Sequence, residues 1–194
     1  MNAWYGTGVY WVAMVASIFI RAPHAHRSKI VKVIQSRKGA LEVALLVLVG
    51  VGVLLLPLLF TATRVLSFAD YPLTPSAFVS GIGAIAVWLW LFYRSHADLG
   101  TNWSVTLQVR ENHRLITSGI YARVRHPMYA ALFANAVAQA LLLANWIAGP
   151  AMLVTFSLMF ALRVGPEERM LLERFGDEYA AYAKRTKRLV PGIW

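Results

Sequence analysis

The sequence contains no cysteine and few acidic residues, with nine Asp and Glu against nineteen Lys and Arg. Without cysteine the chain can form no disulfide, no thiolate nucleophile and no cysteine-ligated metal site. Charged residues make up only 14% of the 194 residues, whereas 58% are hydrophobic. This composition disfavours an ordinary soluble core and is typical of a protein built mainly from membrane segments.

Four long uncharged runs cover residues 3–20, 43–63, 71–93 and 127–162. The first three each suit one bilayer crossing of about 20 residues. The fourth is too long for one crossing and is interrupted by Asn145, Trp146, Gly149 and Pro150, so it predicts a helical hairpin. We therefore predict an all-α, polytopic membrane fold with five transmembrane helices. An amphipathic pattern over residues 167–187 predicts a cytosolic C-terminal helix.

The chain length predicts a single integral membrane domain over residues 1–194. Residues 1–95 would hold three membrane helices, and residues 96–194 a polar segment, the hairpin and the C-terminal helix. The first run lacks a basic n-region and a convincing cleavage site, so we expect a retained helix. The expected location is the cell membrane for a prokaryotic protein and the endoplasmic reticulum for a eukaryotic one.

The basic residues are distributed very unevenly over the connections between the uncharged runs. All Lys and Arg residues except Arg64 fall on alternate connections. The positive-inside rule then predicts an outside N-terminus, a cytosolic C-terminus and a cytosolic position for both ends of the hairpin. The net charge of +10 is thus interpreted as an orientation signal and an attraction to anionic lipid. No nucleic-acid partner is expected, because no DNA or RNA module is recognisable.

Two pairs of glycines resemble fragments of a nucleotide-binding fingerprint. They are Gly50-Val51-Gly52 and Gly81-Ile82-Gly83, and neither completes GxGxxG or follows a strand in a βαβ unit. We predict that these glycines serve helix packing.

The polar residues before the hairpin form a candidate anion site. Pro127 suits the first helical position, which makes His126 the cap residue. The exposed N–H groups and the helix dipole there favour a carboxylate or phosphate, with further donors from Arg125 and His126. A collar of Arg123, Arg125 and His126 around phospholipid head groups is an equally open interpretation.

The polar residues after the hairpin place a cation near two carboxylates. Arg163 and Glu167 are four residues apart, so regular helical spacing would put them on one face. Gly165-Pro166 is expected to disturb that spacing and to splay the pair around a ligand. Pro166 is expected to break or kink the helix and to restart it with Glu167 and Glu168 in the first turn. The alternative is a snorkelling Arg163 and two carboxylates that merely favour a helix N-terminus.

Several motifs in the second half of the chain resemble the isoprenylcysteine carboxyl methyltransferase family. They are residues 113–121 (HRLITSGIY), residues 125–129 (RHPMY), Arg163, residues 167–168 (EE) and residues 175–179 (FGDEY). The resemblance covers roughly residues 108–182, and the small size is similar to that of a prokaryotic or archaeal member. It implies an integral membrane enzyme that uses S-adenosylmethionine to methylate the carboxylate of a lipid-modified substrate. The expected acceptor is a C-terminal S-prenylcysteine, and no metal is expected.

The resemblance also implies roles for individual residues. Arg163 would hold the substrate carboxylate, and Glu167 would act at the catalytic site and bind the cofactor. The other implied cofactor-binding residues are Gln108, His113, Arg114, Leu115, Ile116, Tyr121, His126, Pro127, Met128 and Tyr129. No general base is expected, because a carboxylic acid with a reference pKa near ~4 is already ionised at neutral pH.

Other functions stay open at this point. Membrane sterol-type reductases share a similar C-terminal pattern and would use NADPH. A methyltransferase acting on another isoprenoid acid or a lipid amine is also compatible with the residues, because apolar side chains accommodate any lipid. A non-catalytic lipid-binding protein is the third alternative.

Overall fold

The computed structural model describes residues 1–29, 33–36, 39–100, 108–110 and 115–193, with side chains described for residues 1–24, 39–100 and 115–193. Helices dominate the described chain, as predicted. They are α1 (Ala3–Lys29), α2 (Ala40–Gly50), a π-helical stretch (Val51–Leu55), α3 (Leu56–Ala62), α4 (Pro75–Leu99), α5 (Pro127–Leu142) and α6 (Ala151–Arg185). Two 3₁₀ turns cover Ser67–Ala69 and Gly119–Ala122. Two short strands, β1 (Val33–Ser36) and β2 (Gln108–Arg110), pair antiparallel, with Val33 opposite Arg110 and Ser36 opposite Gln108.

Three helical stretches are long and apolar enough to cross a membrane. They are Ala3–His24, Ala40–Ala62 and Pro75–Leu99, which agree with the first three predicted spans. Helix α5 is a shorter apolar helix of 16 residues, and the uncharged part of α6 ends at Leu162. Crossings by these last two helices therefore stay a prediction.

The interruption predicted in the fourth uncharged run is confirmed. Helix α5 ends at Leu142 and α6 begins at Ala151. The connection between them docks on the connection between α3 and α4, because the Asn145 side-chain amide donates to the Leu66 carbonyl and to Asp70 Oδ1, both at 2.7 Å. Backbone hydrogen bonds from Tyr71 N–H to the Ala144 carbonyl and from Trp146 N–H to the Ala69 carbonyl extend this contact. These two connections thus share one end of the helical bundle.

A buried polar network joins three of the helical segments inside the apolar core. The Tyr10 hydroxyl on α1 donates to Gln139 Oε1 on α5 at 2.8 Å. The Gln139 amide then donates to the carbonyls of Gly52 at 2.9 Å and Ala148 at 2.7 Å. Polar groups inside a membrane need such partners, since lipid offers them none.

One glycine of each predicted pair packs closely against another helix. A Cβ atom on Gly52 would lie 2.3 Å from Thr155 Oγ1 and 2.9 Å from the Ala151 carbonyl oxygen, and one on Gly81 would lie 2.6 Å from the Leu142 side chain. Gly50 and Gly83 have open space around the corresponding position. The packing interpretation is therefore correct for Gly52 and Gly81.

Gly52→Ala is expected to destabilise the protein, because the added methyl group collides with the backbone of α6. Overpacking of this kind costs about 1–3 kcal/mol. Gly50→Ala is the matched control, and it is expected to leave stability unchanged or slightly higher because alanine favours helix more than glycine does. Thermal unfolding in detergent measures the difference, and equal midpoints for the two variants would contradict the packing role of Gly52.

The predicted break at Pro166 is wrong, because α6 (Ala151–Arg185) is helical on both sides of Pro166. A proline inside a helix removes one hydrogen bond, and the surrounding helix tolerates that loss here. The interruption lies ten residues later at Gly176, whose φ of 52° is non-helical and suits glycine. Residues 167–185 of the predicted C-terminal helix lie in the second half of α6, on both sides of this kink. A separate cytosolic C-terminal helix stays a prediction.

Candidate active site near the start of α5 and the middle of α6

The turn that precedes α5 is anchored to the end of α4. Asp98 on α4 accepts a hydrogen bond from the Ile120 N–H at 2.7 Å, and Gly119 has a φ of 61°. A Cβ atom on Gly119 would lie 2.3 Å from Asp98 Oδ2, so this position requires glycine on both grounds. The anchor places Tyr121 in a buried position, with its hydroxyl 3.4 Å from the Ser95 carbonyl.

Helix α5 begins as the sequence predicts, with Pro127 as its first residue and His126 as its cap. The backbone N–H groups of the cap residue and of the residue before it pair with the C-terminal segment of the chain. The Arg125 N–H donates to the Lys187 carbonyl at 2.7 Å, and the His126 N–H donates to the Arg188 carbonyl at 3.0 Å. The start of α5 is therefore held by residues more than 60 positions further along the chain.

Glu168 is the centre of an ion-pair cluster at this point. Its carboxylate lies 3.0 Å from Arg125 Nε, 3.2 Å from His126 Nε2 and 2.8 Å from Arg188 Nη2. The Glu168 side chain is only 16% exposed. Burial alone would raise the pKa of Glu168, but hydrogen bonds from His126, Arg188 and Arg125 outweigh burial and hold that pKa well below its usual range. We call these four residues the Glu168 cluster.

A second cluster joins the first turn of α5 to α6. The Tyr129 hydroxyl donates a short hydrogen bond to Glu167 Oε2, and Arg163 Nε lies 3.9 Å from the same oxygen. Arg163 and Glu167 therefore lie on one face of α6, as regular helical spacing indicates, and the disturbance expected at Gly165 and Pro166 does not separate them. On its other side the Arg163 guanidinium lies 3.7 Å from Glu42 Oε1 at the start of α2. We call Glu42, Tyr129, Arg163 and Glu167 the Arg163 cluster.

A cavity of about 190 Å³ opens beside Arg163, between α2 and α6. The charged residues that line it are Glu42 and Arg163. The remaining lining residues are Gly39, Leu41, Leu45, Met159, Leu162 and Pro166. An apolar cavity with one buried cation suits a molecule that combines an apolar chain with an anionic head.

A buried tyrosine near the two clusters offers a hydrogen bond that the described residues do not accept. Tyr179 is 4% exposed, and its hydroxyl has no hydrogen-bond partner within the described part of the chain. Burial, together with the neighbouring Glu168 carboxylate, raises the pKa of Tyr179, so its hydroxyl keeps its proton at neutral pH. A buried donor without an acceptor is costly, and it points to a ligand with acceptor atoms.

The structure brings only some of the predicted site residues together. Tyr129, Arg163 and Glu167 form one cluster, and His126 joins it through its ring, whose centroid lies 5.4 Å from that of Tyr129. The Tyr121 hydroxyl and the His126 side chain are engaged with Ser95 and Glu168, so their polar atoms point to protein partners. Pro127 is buried, whereas Leu115, Ile116 and Met128 are partly exposed. The side chain of Gln108 and all of His113 and Arg114 lie outside the described residues.

Sequence reasoning missed two acidic residues that organise the site. Glu168 was expected only to favour a helix N-terminus, whereas it anchors Arg125, His126 and Arg188. Glu42 was given no role, although it is an acidic residue at the edge of an otherwise uncharged run. Such a position is the one signal in the sequence that could have drawn attention to it.

These features define a helical membrane protein with a buried polar site beside an apolar cavity. The sequence pattern of the isoprenylcysteine carboxyl methyltransferase (ICMT) family matches residues 82–173. The chain is 30% identical over 144 residues to protein-S-isoprenylcysteine O-methyltransferase A of Arabidopsis thaliana, which covers 72% of each chain. The chain therefore belongs to the isoprenylcysteine carboxyl methyltransferase family, and the predicted family membership is confirmed.

Two further relatives carry similar names but are matched over shorter parts of their length. Protein-S-isoprenylcysteine O-methyltransferase of Schizosaccharomyces pombe is 31% identical over 116 residues, which are 59% of this chain and 49% of the relative. The Homo sapiens protein of the same name is 35% identical over 96 residues, which are 48% of this chain and 34% of the relative. The chain thus spans half or less of the length of these two relatives.

Proposed function

We propose that this protein is an S-adenosylmethionine-dependent methyltransferase that esterifies the carboxylate of a lipid-modified acceptor, a C-terminal S-prenylcysteine. The observation that carries the proposal is the position of Arg163. Its side chain is 11% exposed and lines an apolar cavity, with Glu167 one helical turn away. A guanidinium in that place can pair with a carboxylate while the cavity accommodates an apolar chain.

The described residues fit S-adenosylmethionine as the methyl donor. Glu167 can accept hydrogen bonds from ribose hydroxyls or an amino group, and Tyr179 offers a buried donor that a carboxylate or a ring nitrogen can accept. The start of α5 favours an anionic group, although the Arg125 and His126 side chains there are already paired with Glu168. We propose Tyr121, the stretch from His126 to Tyr129 and Glu167 as cofactor-binding residues, together with Gln108, His113, Arg114, Leu115 and Ile116.

When bound, S-adenosylmethionine supplies an electrophilic methyl group on a sulfonium, whose C–S bond breaks as the acceptor oxygen forms the new C–O bond. Arg163 holds the acceptor carboxylate and orients its oxygen, which supplies the positioning that a displacement needs. The apolar walls around Arg163 exclude water, which would otherwise solvate the attacking oxygen. No proton moves in this reaction, so we assign no general base.

We propose the topology with the N-terminus outside and the site on the cytosolic side. The helices alternate in direction, because the connection after α3 meets the connection after α5 at one end of the bundle, while Glu42 at the start of α2 meets Arg163 at the other. Among the described basic residues, Arg94, Arg125 and Arg188 lie near the end with Arg163, and the positive-inside rule then favours the cytosolic side for that end. A water-soluble cofactor and a membrane-embedded acceptor can both reach a site at that boundary.

Methyl transfer from labelled S-adenosylmethionine to N-acetyl-S-farnesylcysteine tests the proposal with detergent-purified protein. Base-labile label on this acceptor, and none on its methyl ester, is the expected result, because only the free carboxylate can be esterified. Label on neither would reject prenylcysteine as the acceptor. Binding of NADPH in place of S-adenosylmethionine would reject the methyltransferase in favour of a reductase.

Tyr129→Phe is expected to raise the KM for S-adenosylmethionine roughly tenfold or more, because a hydrogen bond to a charged group contributes about 1.5–3 kcal/mol. Without the Tyr129 hydroxyl, the Glu167 carboxylate is free to turn away from the ligand. Tyr93→Phe removes a hydroxyl from an exposed position on α4 and is the matched control. An unchanged KM in a folded Tyr129→Phe protein would remove Tyr129 from the proposed site.

A further inference from the structure

Glu42 has no role in the proposed reaction so far, yet it contacts Arg163, which holds the acceptor carboxylate in that reaction. It lies in the first turn of α2, and its side chain is 10% exposed. Its Oε1 atom lies 3.7 Å from Arg163 Nη2, and both residues line the cavity. Residue 42 also lies outside the part of the chain that matches the family pattern, which covers residues 82–173.

Arg163 lies close to two carboxylates. Glu42 Oε1 is 3.7 Å from its Nη2 atom, and Glu167 Oε2 is 3.9 Å from its Nε atom. A buried cation near lipid needs compensating negative charge. Glu42 thus compensates part of the Arg163 charge, and the carboxylate of an acceptor carries the same charge as Glu42.

The acceptor and Glu42 would meet the same part of the guanidinium. Arg163 and Glu42 both face the apolar cavity, so an acceptor lying in that cavity reaches Arg163 on the side that Glu42 occupies. Two carboxylates at such close range repel each other, and the repulsion is strong where little water is present. The negative charge of Glu42 therefore weakens the binding of the acceptor carboxylate.

We propose that Glu42 is a positioning residue that holds Arg163 toward the cavity in the unliganded protein and yields it to the carboxylate of the acceptor. The molecules that could act as this acceptor all carry a carboxylate at the end of an apolar chain. The inference rests on the proposed function only in taking this acceptor to be the molecule that is methylated. Glu42 then has two opposite effects. It stabilises the folded protein without acceptor, and it weakens the binding of the acceptor carboxylate.

Glu42→Gln separates these two effects, since glutamine keeps the shape of the side chain and removes its charge. The variant is expected to bind N-acetyl-S-farnesylcysteine roughly three- to tenfold more tightly than the unmodified protein, and to bind the methyl ester of that compound equally well. Its unfolding midpoint without acceptor is expected to be lower. Glu42→Asp keeps the charge and is expected to behave like the unmodified protein in acid binding. Glu178→Gln makes the same chemical change at an exposed position and is the control.

Calorimetric binding of the acid, its methyl ester and palmitate to the detergent-solubilised full chain is the deciding measurement, and it needs no methyl transfer. Tighter acid binding by Glu42→Gln supports the proposal even if no methylated product is found. If Glu42→Gln binds both palmitate and the prenylcysteine acid more tightly than the unmodified protein does, the ligand class is lipid carboxylates in general. Acid binding that is unchanged or weaker in Glu42→Gln, or no preference for acid over ester in the unmodified protein, would overturn it.

Discussion

Arg163→Ala is expected to lower kcat/KM for the carboxylate acceptor roughly 30-fold to several-thousand-fold. Removing one partner of a desolvated charge pair costs about 2–5 kcal/mol, and each 1.36 kcal/mol is a factor of ten in rate. Arg163 is 11% exposed, so bulk water screens little of its interaction with a bound carboxylate. The assay is transfer of labelled methyl groups to N-acetyl-S-farnesylcysteine at several acceptor concentrations.

Two further variants separate the charge of Arg163 from its shape. Arg163→Lys keeps the positive charge but loses the planar fork, so an intermediate loss of activity is expected. Arg169→Ala removes an arginine from an exposed position on the same helix and is expected to retain activity. If Arg163→Ala retains activity close to that of Arg169→Ala, Arg163 does not hold the acceptor.

Glu168→Gln is expected to destabilise the protein by about 3 kcal/mol at neutral pH, because it leaves Arg125, His126 and Arg188 around a group that no longer carries charge. These contacts hold the C-terminal segment against the start of α5. The variant should therefore also lose activity, through displacement of the first turn of α5 and Tyr129. Thermal unfolding in detergent measures the stability, with Glu178→Gln as the exposed control.

The pH dependence of stability provides a second readout for Glu168. Its pKa in the folded protein lies below its ordinary value, so the unfolded chain binds the proton more readily. The stabilisation is therefore fully present above about pH 5 and is lost as pH falls from about 4 toward the pKa of the folded state. Below pH 4 the unmodified protein is expected to lose its stability advantage over Glu168→Gln. A constant advantage down to pH 3 would contradict the assigned ion pairs.

Several parts of the fold that follow from local pattern were predicted correctly. The first three membrane helices follow from uncharged runs, because a stretch of about 20 apolar residues is sufficient to define a crossing. The start of α5 follows from Pro127, whose missing N–H is harmless only at a helix start. Helical spacing also indicates the shared face of Arg163 and Glu167, although Pro166 was expected to disturb it. Each of these predictions needs only residues that are close together in the sequence.

The helix break predicted at Pro166 was wrong because local rules compete. Proline usually ends a helix, and Glu167 and Glu168 favour a helix start, so the sequence alone indicated a new helix there. In the structure both carboxylates have tertiary partners, Tyr129 for Glu167 and Arg125 for Glu168. Helix α6 is regular on both sides of Pro166, and its non-helical residue is Gly176.

The amino-acid sequence by itself determined that this chain is helical, that it belongs in a membrane and to which family it belongs. These properties depend on hydrophobic run length and on motifs of neighbouring residues. Only the tertiary structure decided that Glu42 reaches Arg163 and that Glu168 joins the start of α5 to residue 188, because both contacts join segments far apart in the chain. Helix packing brings such groups together, and no spacing rule along the sequence encodes it.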